Sequence, residues 1–216
     1  MAHWPPPVSL PFTADAFFEV FARYNTAHLP LVVAWWTAAA LTLAAVVWRP
    51  GPATDRVAAA VLAGLWLWGG LVYHAGYFTA INPAAWGFAA LFVLQAMALG
   101  WFGLVRQRLH FGAAGGAGQV LGLSLAAYAL LYPFVSAWSH AYPASPTFGV
   151  PCPTGIFTVG LLVTVARPPI AALIVPFVWT LIGGSAAIVL AVTADYVLLA
   201  CALVLPLRAV ARRCQP

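Results

Sequence analysis

Lysine is absent from this chain, and all nine of its basic residues are arginine. A retinal protein needs a lysine to form the Schiff base, so the absence excludes a working rhodopsin. Charged residues are also scarce, at 6% against about 25% in soluble domains. A chain of 216 residues that is 64% hydrophobic cannot hide so much apolar surface in its own core. The surrounding medium is therefore expected to be lipid.

Cysteine is nearly absent too, with Cys152, Cys201 and Cys214 forming neither a CxxC motif nor a paired framework. Cys201 falls inside an apolar run and Cys214 in a basic tail, so no structural disulfide is expected. The net charge of +5 would suggest nucleic acid in a soluble protein. Here the arginines sit at the ends of apolar runs, which favours membrane orientation over nucleic-acid binding.

Seven apolar runs approach the roughly 20 residues that a membrane-spanning helix needs. None has Asp, Glu or Arg in its middle, where a charge costs at least ~2.5 kcal/mol. The pattern predicts an all-α, integral membrane protein, a bundle of seven transmembrane helices. The predicted spans are about 29–48, 57–79, 84–105, 118–139, 153–166, 170–192 and 195–210.

The arginines predict the orientation of the bundle. Eight of the nine fall on one side, which the positive-inside rule makes cytoplasmic. The N-terminus is then outside and the C-terminus cytoplasmic, with a basic cytoplasmic tail at 211–216. The eight arginines are Arg49, Arg56, Arg106, Arg108, Arg167, Arg208, Arg212 and Arg213.

Residues 1–28 are expected to form an extracytoplasmic leader with a short amphipathic helix, ahead of the transmembrane domain at 29–210. Thr13 is suited to the N-cap of this helix. Phe17, Phe21 and Tyr24 then follow at spacings of four and three and form one apolar stripe, which favours a helix lying in the membrane interface. The alternative is a fraying turn outside the membrane.

Three side chains with metal-binding chemistry are expected at one depth near the outer surface. His74 ends the second span, His140 ends the fourth, and Cys152 begins the fifth. His and Cys bind zinc, copper or iron, and two facing histidines could hold a haem. No local spacing such as HxxxH supports this. The alternative is that the histidines bond to loop carbonyls and that Cys152 acts as a small apolar side chain.

Polar side chains at a similar height suggest a pocket for a solute without a metal. The predicted pocket residues are Tyr73, Tyr77, Asn82, Tyr142, Thr154 and Glu19.

Cys152 also suggests thiol chemistry, since a helix N-terminus stabilises a thiolate and His74 or His140 could serve as base. The acids that could orient such a base, Glu19 and Asp195, are expected outside the spans. This disfavours an enzyme. A secondary transporter usually carries buried acids, and none is expected here.

Several stretches resemble an uncharacterised family of bacterial multipass membrane proteins, a domain of unknown function. They are FFEVFARYN (17–25), VYHAGYFTAINPAAW (72–86), HAYPASPTFGVPCPTGIFT (140–158) and ARPP (166–169). The resemblance covers nearly the whole chain, and PCPT is its most specific part. It implies a bacterial inner-membrane location and no particular activity.

Three functional hypotheses follow. The first is a membrane protein with an outward-facing His/Tyr/Cys pocket that binds or passes a small solute or metal ion. The second is a structural or accessory subunit that joins partner subunits in a larger membrane complex. The third is a membrane-embedded enzyme that depends on a metal or on the Cys152 thiol.

Overall fold

A computed structural model describes residues 10–211, and within that range the chain is helical and has no β-strand. The predicted all-α class is confirmed. The predicted leader and basic tail extend into residues 1–9 and 212–216, which lie outside the described range. The seven α-helices are α1 (Ala14–Trp48), α2 (Pro52–Trp68), α3 (Ala85–Leu99), α4 (Gly116–Ser136), α5 (Pro151–Val163), α6 (Ala171–Val189) and α7 (Val197–Ala211).

Short helices of other types extend these elements. A π-helix (Gly69–Ala75) and a 3₁₀ turn (Phe78–Ala80) continue α2, and a second π-helix (Gly100–Val105) continues α3. A 3₁₀ turn (Thr193–Tyr196) leads directly into α7.

Six of the described helical segments are long and apolar enough to cross a membrane, as expected of an integral membrane protein. The exception is α5, which has 13 residues and a length of about 20 Å at 1.5 Å per residue. Seven helices therefore stand where seven spans were predicted, but six have spanning length. The count of seven spans stays a prediction.

The short helix α5 lies in the middle of the bundle. Every one of its residues except Cys152 is buried. It packs closely on α4, because a Cβ added to Gly160 would come within 2.6 Å of the Ala126 backbone nitrogen. Small residues at such crossings allow the two backbones to approach each other. A helix enclosed by other helices does not need the length that lipid would require.

Contacts between loops define one end of the bundle, which we call the basic end. The Asp55 carboxylate accepts a hydrogen bond from the Phe111 amide at 2.9 Å. Ala114 donates its amide to the Thr164 carbonyl at 2.8 Å, just after α5. Arg208 donates to the Val165 carbonyl at 2.7 Å. The connections around 49–56, 106–115 and 164–166 and the C-terminal part of α7 therefore meet at the basic end.

Helix α1 is kinked at His28, whose φ of −124° and ψ of 15° are not helical. Pro30 follows two residues later and cannot donate an amide hydrogen bond, which accounts for the kink. The part of α1 before the kink, residues 14–27, is called the outer segment below. Its N-cap is Thr13, which accepts a hydrogen bond from the Ala16 amide at 3.2 Å, as predicted.

The outer segment is fastened to the loop between α4 and α5. Asn25 is fully buried and donates to the carbonyls of Pro143 at 2.6 Å and Ser145 at 2.8 Å. Its side-chain oxygen accepts a hydrogen bond from Thr147 at 2.6 Å. Buried hydrogen bonds between segments so distant in sequence fix the loop across the end of the bundle opposite the basic end.

Candidate functional site

A cavity of about 360 Å³ lies at the end of the bundle opposite the basic end. The outer segment, the end of α2, the starts of α3 and α5, the C-terminal half of α6 and the Thr193–Tyr196 turn surround it. Its lining is mostly apolar. The polar side chains in the lining are Tyr73, His74, Asn82, Cys152, Ser185 and Asp195.

Aromatic rings form much of the cavity wall. They contact one another edge-on or in stacks: the Phe88 and Trp179 centroids are 5.7 Å apart, and those of Tyr73 and Phe78 are 6.0 Å apart. Such ring pairs are held in fixed orientations and favour a preformed wall. The aromatic residues of the lining are Phe12, Phe17, Phe21, Tyr73, Phe78, Phe88 and Trp179.

His74 is a polar side chain of the cavity lining that the protein itself leaves without a hydrogen-bond partner. Its side chain is 1% exposed, and neither Nδ1 nor Nε2 makes a hydrogen bond. Instead, the imidazole contacts aromatic rings, with centroids 4.7 Å away at Phe92 and 5.2 Å away at Trp179. The indole nitrogen of Trp179 is also buried without a partner. Each such atom costs about 1–3 kcal/mol, so a ligand in the cavity would have polar groups to satisfy.

The local sequence explains why His74 is held in this place. It lies in the π-helix Gly69–Ala75, and π-turns inserted into helices are frequent at functional sites. The preceding glycines bring α3 close, because a Cβ on Gly70 would lie 3.0 Å from the Ala89 carbonyl oxygen. The Gly69-Gly70 pair therefore permits close contact between the π-helix and α3.

Asp195 is a buried acid, contrary to the expectation that this chain has none. It is 4% exposed, and its Oδ1 accepts a hydrogen bond from the Tyr132 hydroxyl at 2.5 Å. The Cys152 side chain adjoins its carboxyl group. The Thr193–Tyr196 turn, in which the Asp195 amide bonds to the Val192 carbonyl, folds the carboxyl inward. Its position just before α7 also lets the helix N-terminus stabilise negative charge.

The predicted metal ligands do not come together. His140 is not in the cavity lining, and its ring stacks on Phe18 with centroids 3.5 Å apart. Within residues 10–211, no group of three or more His, Cys, Asp or Glu could hold a metal ion. A metal cluster of His74, His140 and Cys152 is therefore not formed, and haem ligation by the two histidines gains no support. His140 does not join the other two because its ring is stacked on Phe18 of the outer segment.

Cys152 and His74 line the same cavity but are not hydrogen-bonded to each other, because both imidazole nitrogens lack a partner. A nucleophilic thiol is recognised by such a bond to its base. The structure shows no thiol–imidazole pair between these two residues.

The predicted pocket residues divide into two groups. Tyr73 and Asn82 line the cavity. The other four, Tyr77, Glu19, Tyr142 and Thr154, do not line it. Tyr77 and Glu19 border a shallow surface depression, and the Tyr77 hydroxyl is 3.0 Å from His28 Nε2. Tyr142 is exposed, and Thr154 is buried away from the cavity lining.

Sequence reasoning places Asp195 outside the spans and does not single out Tyr132 or Trp179. A signal for Asp195 exists, because it lies between the apolar run that ends at Val192 and the one that begins at Val197. Acids at membrane depth usually face the bundle interior and have a partner. No comparable signal marks Tyr132, which meets Asp195 only through the tertiary fold.

The fold and the cavity define a helical membrane-type protein with an apolar, aromatic-lined cavity near one end. Residues 14–214 match DUF6064, a family of unknown function, and the chain belongs to this family. The predicted membership of a family of unknown function is confirmed. No curated protein and no solved structure matches the chain.

Proposed function

We propose that the protein binds a small, mainly apolar molecule that carries one hydrogen-bonding group. The observation that carries the proposal is the pair of unpartnered ring nitrogens of His74 in the wall of an apolar cavity. A neutral imidazole offers one N–H donor and one acceptor, so a ligand with a hydroxyl or amino group matches it.

The dimensions and lining support a small-molecule site. Binding pockets commonly measure about 300–1,000 Å³ and combine apolar walls with few polar groups. The cavity has about 360 Å³, and Trp179 provides a second unpartnered donor beside His74. A metal ion is a weaker candidate, because the described residues offer no cluster of three ligands.

We propose binding rather than passage through the bundle. Trp66 lies two helical turns before His74, is fully buried, and packs at a tilt against Phe92, with ring centroids 4.3 Å apart. Its indole donates to Thr158 of α5 at 2.8 Å. This packing supports a closed floor between the cavity and the basic end.

The proposed membrane arrangement keeps α5 as a seventh crossing inside the bundle. Arg56 and Arg208 at the basic end support a cytoplasmic location for that end by the positive-inside rule. The cavity then faces the extracytoplasmic side, with the N-terminus outside. The family resemblance supports a bacterial inner membrane as the location.

The test uses two probes of the same shape, benzyl alcohol and ethylbenzene. They differ at one position, where benzyl alcohol has a hydroxyl group and ethylbenzene has a methyl group. Binding is measured by titration calorimetry on the full chain in lipid nanodiscs, with empty nanodiscs to subtract partitioning. Benzyl alcohol should bind about two- to twelve-fold tighter, because a hydrogen bond contributes about 0.5–1.5 kcal/mol.

The variant His74→Leu should remove the preference for benzyl alcohol. The matched control is His140→Leu, which changes a histidine outside the cavity and should leave the preference intact. Equal affinity for the two probes in the native protein, or no binding above that of empty nanodiscs, would contradict the proposal.

A further inference from the structure

We infer that the polar group of the ligand is a cation, and that the cavity takes a primary ammonium ion with an apolar body, with Asp195 as its counter-ion. The inference rests on the proposed function and adds the charge of the ligand to it.

The first step concerns the charge of the cavity. Asp195 is buried in its wall, and the Tyr132 hydroxyl donates a hydrogen bond to its carboxyl group. Among the lining residues, all of them within 10–211, there is no arginine, and the chain has no lysine. His74 is the one basic side chain of the lining, and its surroundings are aromatic rings. A buried carboxylate without a cationic partner is costly, so the cavity has a place for a positive charge.

The second step concerns the walls. Seven aromatic residues line the cavity, and the faces of aromatic rings attract organic cations. A carboxylate combined with aromatic walls suits an ammonium group better than a hydrated metal ion, which needs several oxygen, nitrogen or sulfur ligands. An anionic ligand would meet Asp195 and be repelled.

The third step concerns hydrogen bonds. A primary ammonium group has three N–H donors and no acceptor. His74 supplies an acceptor nitrogen and Asp195 supplies carboxylate oxygens, and both belong to the same cavity. The apolar body of the ligand would then lie against the aromatic rings.

The experiment adds benzylamine, which is protonated at neutral pH, to benzyl alcohol and ethylbenzene. The three probes share one shape and carry an ammonium, a hydroxyl and a methyl group. Affinities are measured at neutral pH by titration calorimetry on the full chain in nanodiscs of uncharged lipid. Benzylamine should bind at least about ten-fold tighter than benzyl alcohol, as close buried charge pairs do.

The variant Asp195→Asn keeps an acceptor for Tyr132 and removes the charge. It should weaken benzylamine binding by at least about ten-fold and leave the affinity for ethylbenzene within about two-fold. The matched control Glu19→Gln removes an exposed negative charge outside the cavity and should change neither affinity.

The outcomes separate the two proposals. If benzyl alcohol binds better than ethylbenzene but benzylamine binds no better than benzyl alcohol, the ammonium inference is overturned and the proposed function stands. If benzylamine binds tightly and Asp195→Asn does not weaken it, the assignment of Asp195 as counter-ion is overturned. If none of the three probes binds above empty nanodiscs, both proposals fall. The comparison of probes on the native protein holds even where the variant does not fold.

Discussion

Replacing His74 by leucine is expected to make the ligand-free protein more stable. The imidazole is buried with both nitrogens unpartnered, and each unpartnered polar atom costs about 1–3 kcal/mol. Leucine has a similar size and no polar atom. It would lose its two closest edge-on ring contacts, with Phe92 and Trp179, which contribute about 0.5–1.5 kcal/mol each. The leucine side chain is expected to keep apolar packing against the more distant rings of Tyr73 and Phe88. The expected balance is a gain of about 1–3 kcal/mol.

The assay is thermal unfolding of the purified protein in nanodiscs, followed by intrinsic tryptophan fluorescence. For a chain of this length, each 1 kcal/mol corresponds to a change in Tm of about 2–4 °C. His140→Leu is the matched control, because it removes a ring that stacks on Phe18 and should lower the Tm. A His74→Leu protein that melts below the native protein would refute the reasoning, since it would mean that His74 has hydrogen-bond partners that stabilise the fold.

Three further predictions concern the packing, the outer loop and the cavity. Gly160→Val should destabilise the protein by about 3 kcal/mol or more, because its Cβ would lie 2.6 Å from the backbone of α4. The control Gly87→Ala, with open space around it, should be neutral or slightly stabilising in the same melting assay. Asn25→Leu should cost at least about 2 kcal/mol and speed hydrogen exchange in residues 140–150, since three buried hydrogen bonds are lost; unchanged exchange there would contradict this. Benzyl alcohol should slow alkylation of Cys152, which is half-buried in the cavity wall. Buried Cys201 should stay unlabelled with or without the probe. Labelling of Cys152 that the probe does not slow would count against the cavity as the binding site of benzyl alcohol.

The positions of the helices could be predicted because charge is excluded from apolar runs. The run at 118–139 corresponds to α4 (Gly116–Ser136), and the run at 84–105 corresponds to α3 with its π-helix to Val105. Such boundaries follow from composition, since the cost of a charged residue within the membrane limits where each run can end.

The length and environment of α5 could not be predicted from hydropathy. An apolar helix in lipid and an apolar helix enclosed by other helices have the same composition, so hydropathy predicts the short run at 153–166 as a membrane span. What distinguishes α5 is its close contact with α4, where Gly122 and Gly160 face each other across the interface. That contact joins residues almost 40 positions apart and has no local pattern.

For the candidate site, the sequence predicts the depth of a side chain along the bundle axis better than the direction in which the side chain points. Sequence reasoning placed His74 and Cys152 together near one end of the bundle, and both line the cavity. The sequence also predicts His140 beside them and Asp195 outside the spans. In the structure, Asp195 lines the cavity and His140 does not. The direction of a side chain around the bundle axis depends on its packing partners, which are Phe18 for His140 and Tyr132 for Asp195.

The most direct test of the central claim is the nitrogen NMR spectrum of the His74 ring. Protein labelled with ¹⁵N in its histidine rings is recorded in nanodiscs, and the His74 resonances are assigned by their loss in His74→Leu. If the cavity supplies a ligand with its hydrogen bonds, benzyl alcohol will shift a ring nitrogen of His74 in the direction of hydrogen bonding, and ethylbenzene will not. Ring nitrogens that are already hydrogen-bonded in the ligand-free protein, or that respond equally to both probes, would contradict the account.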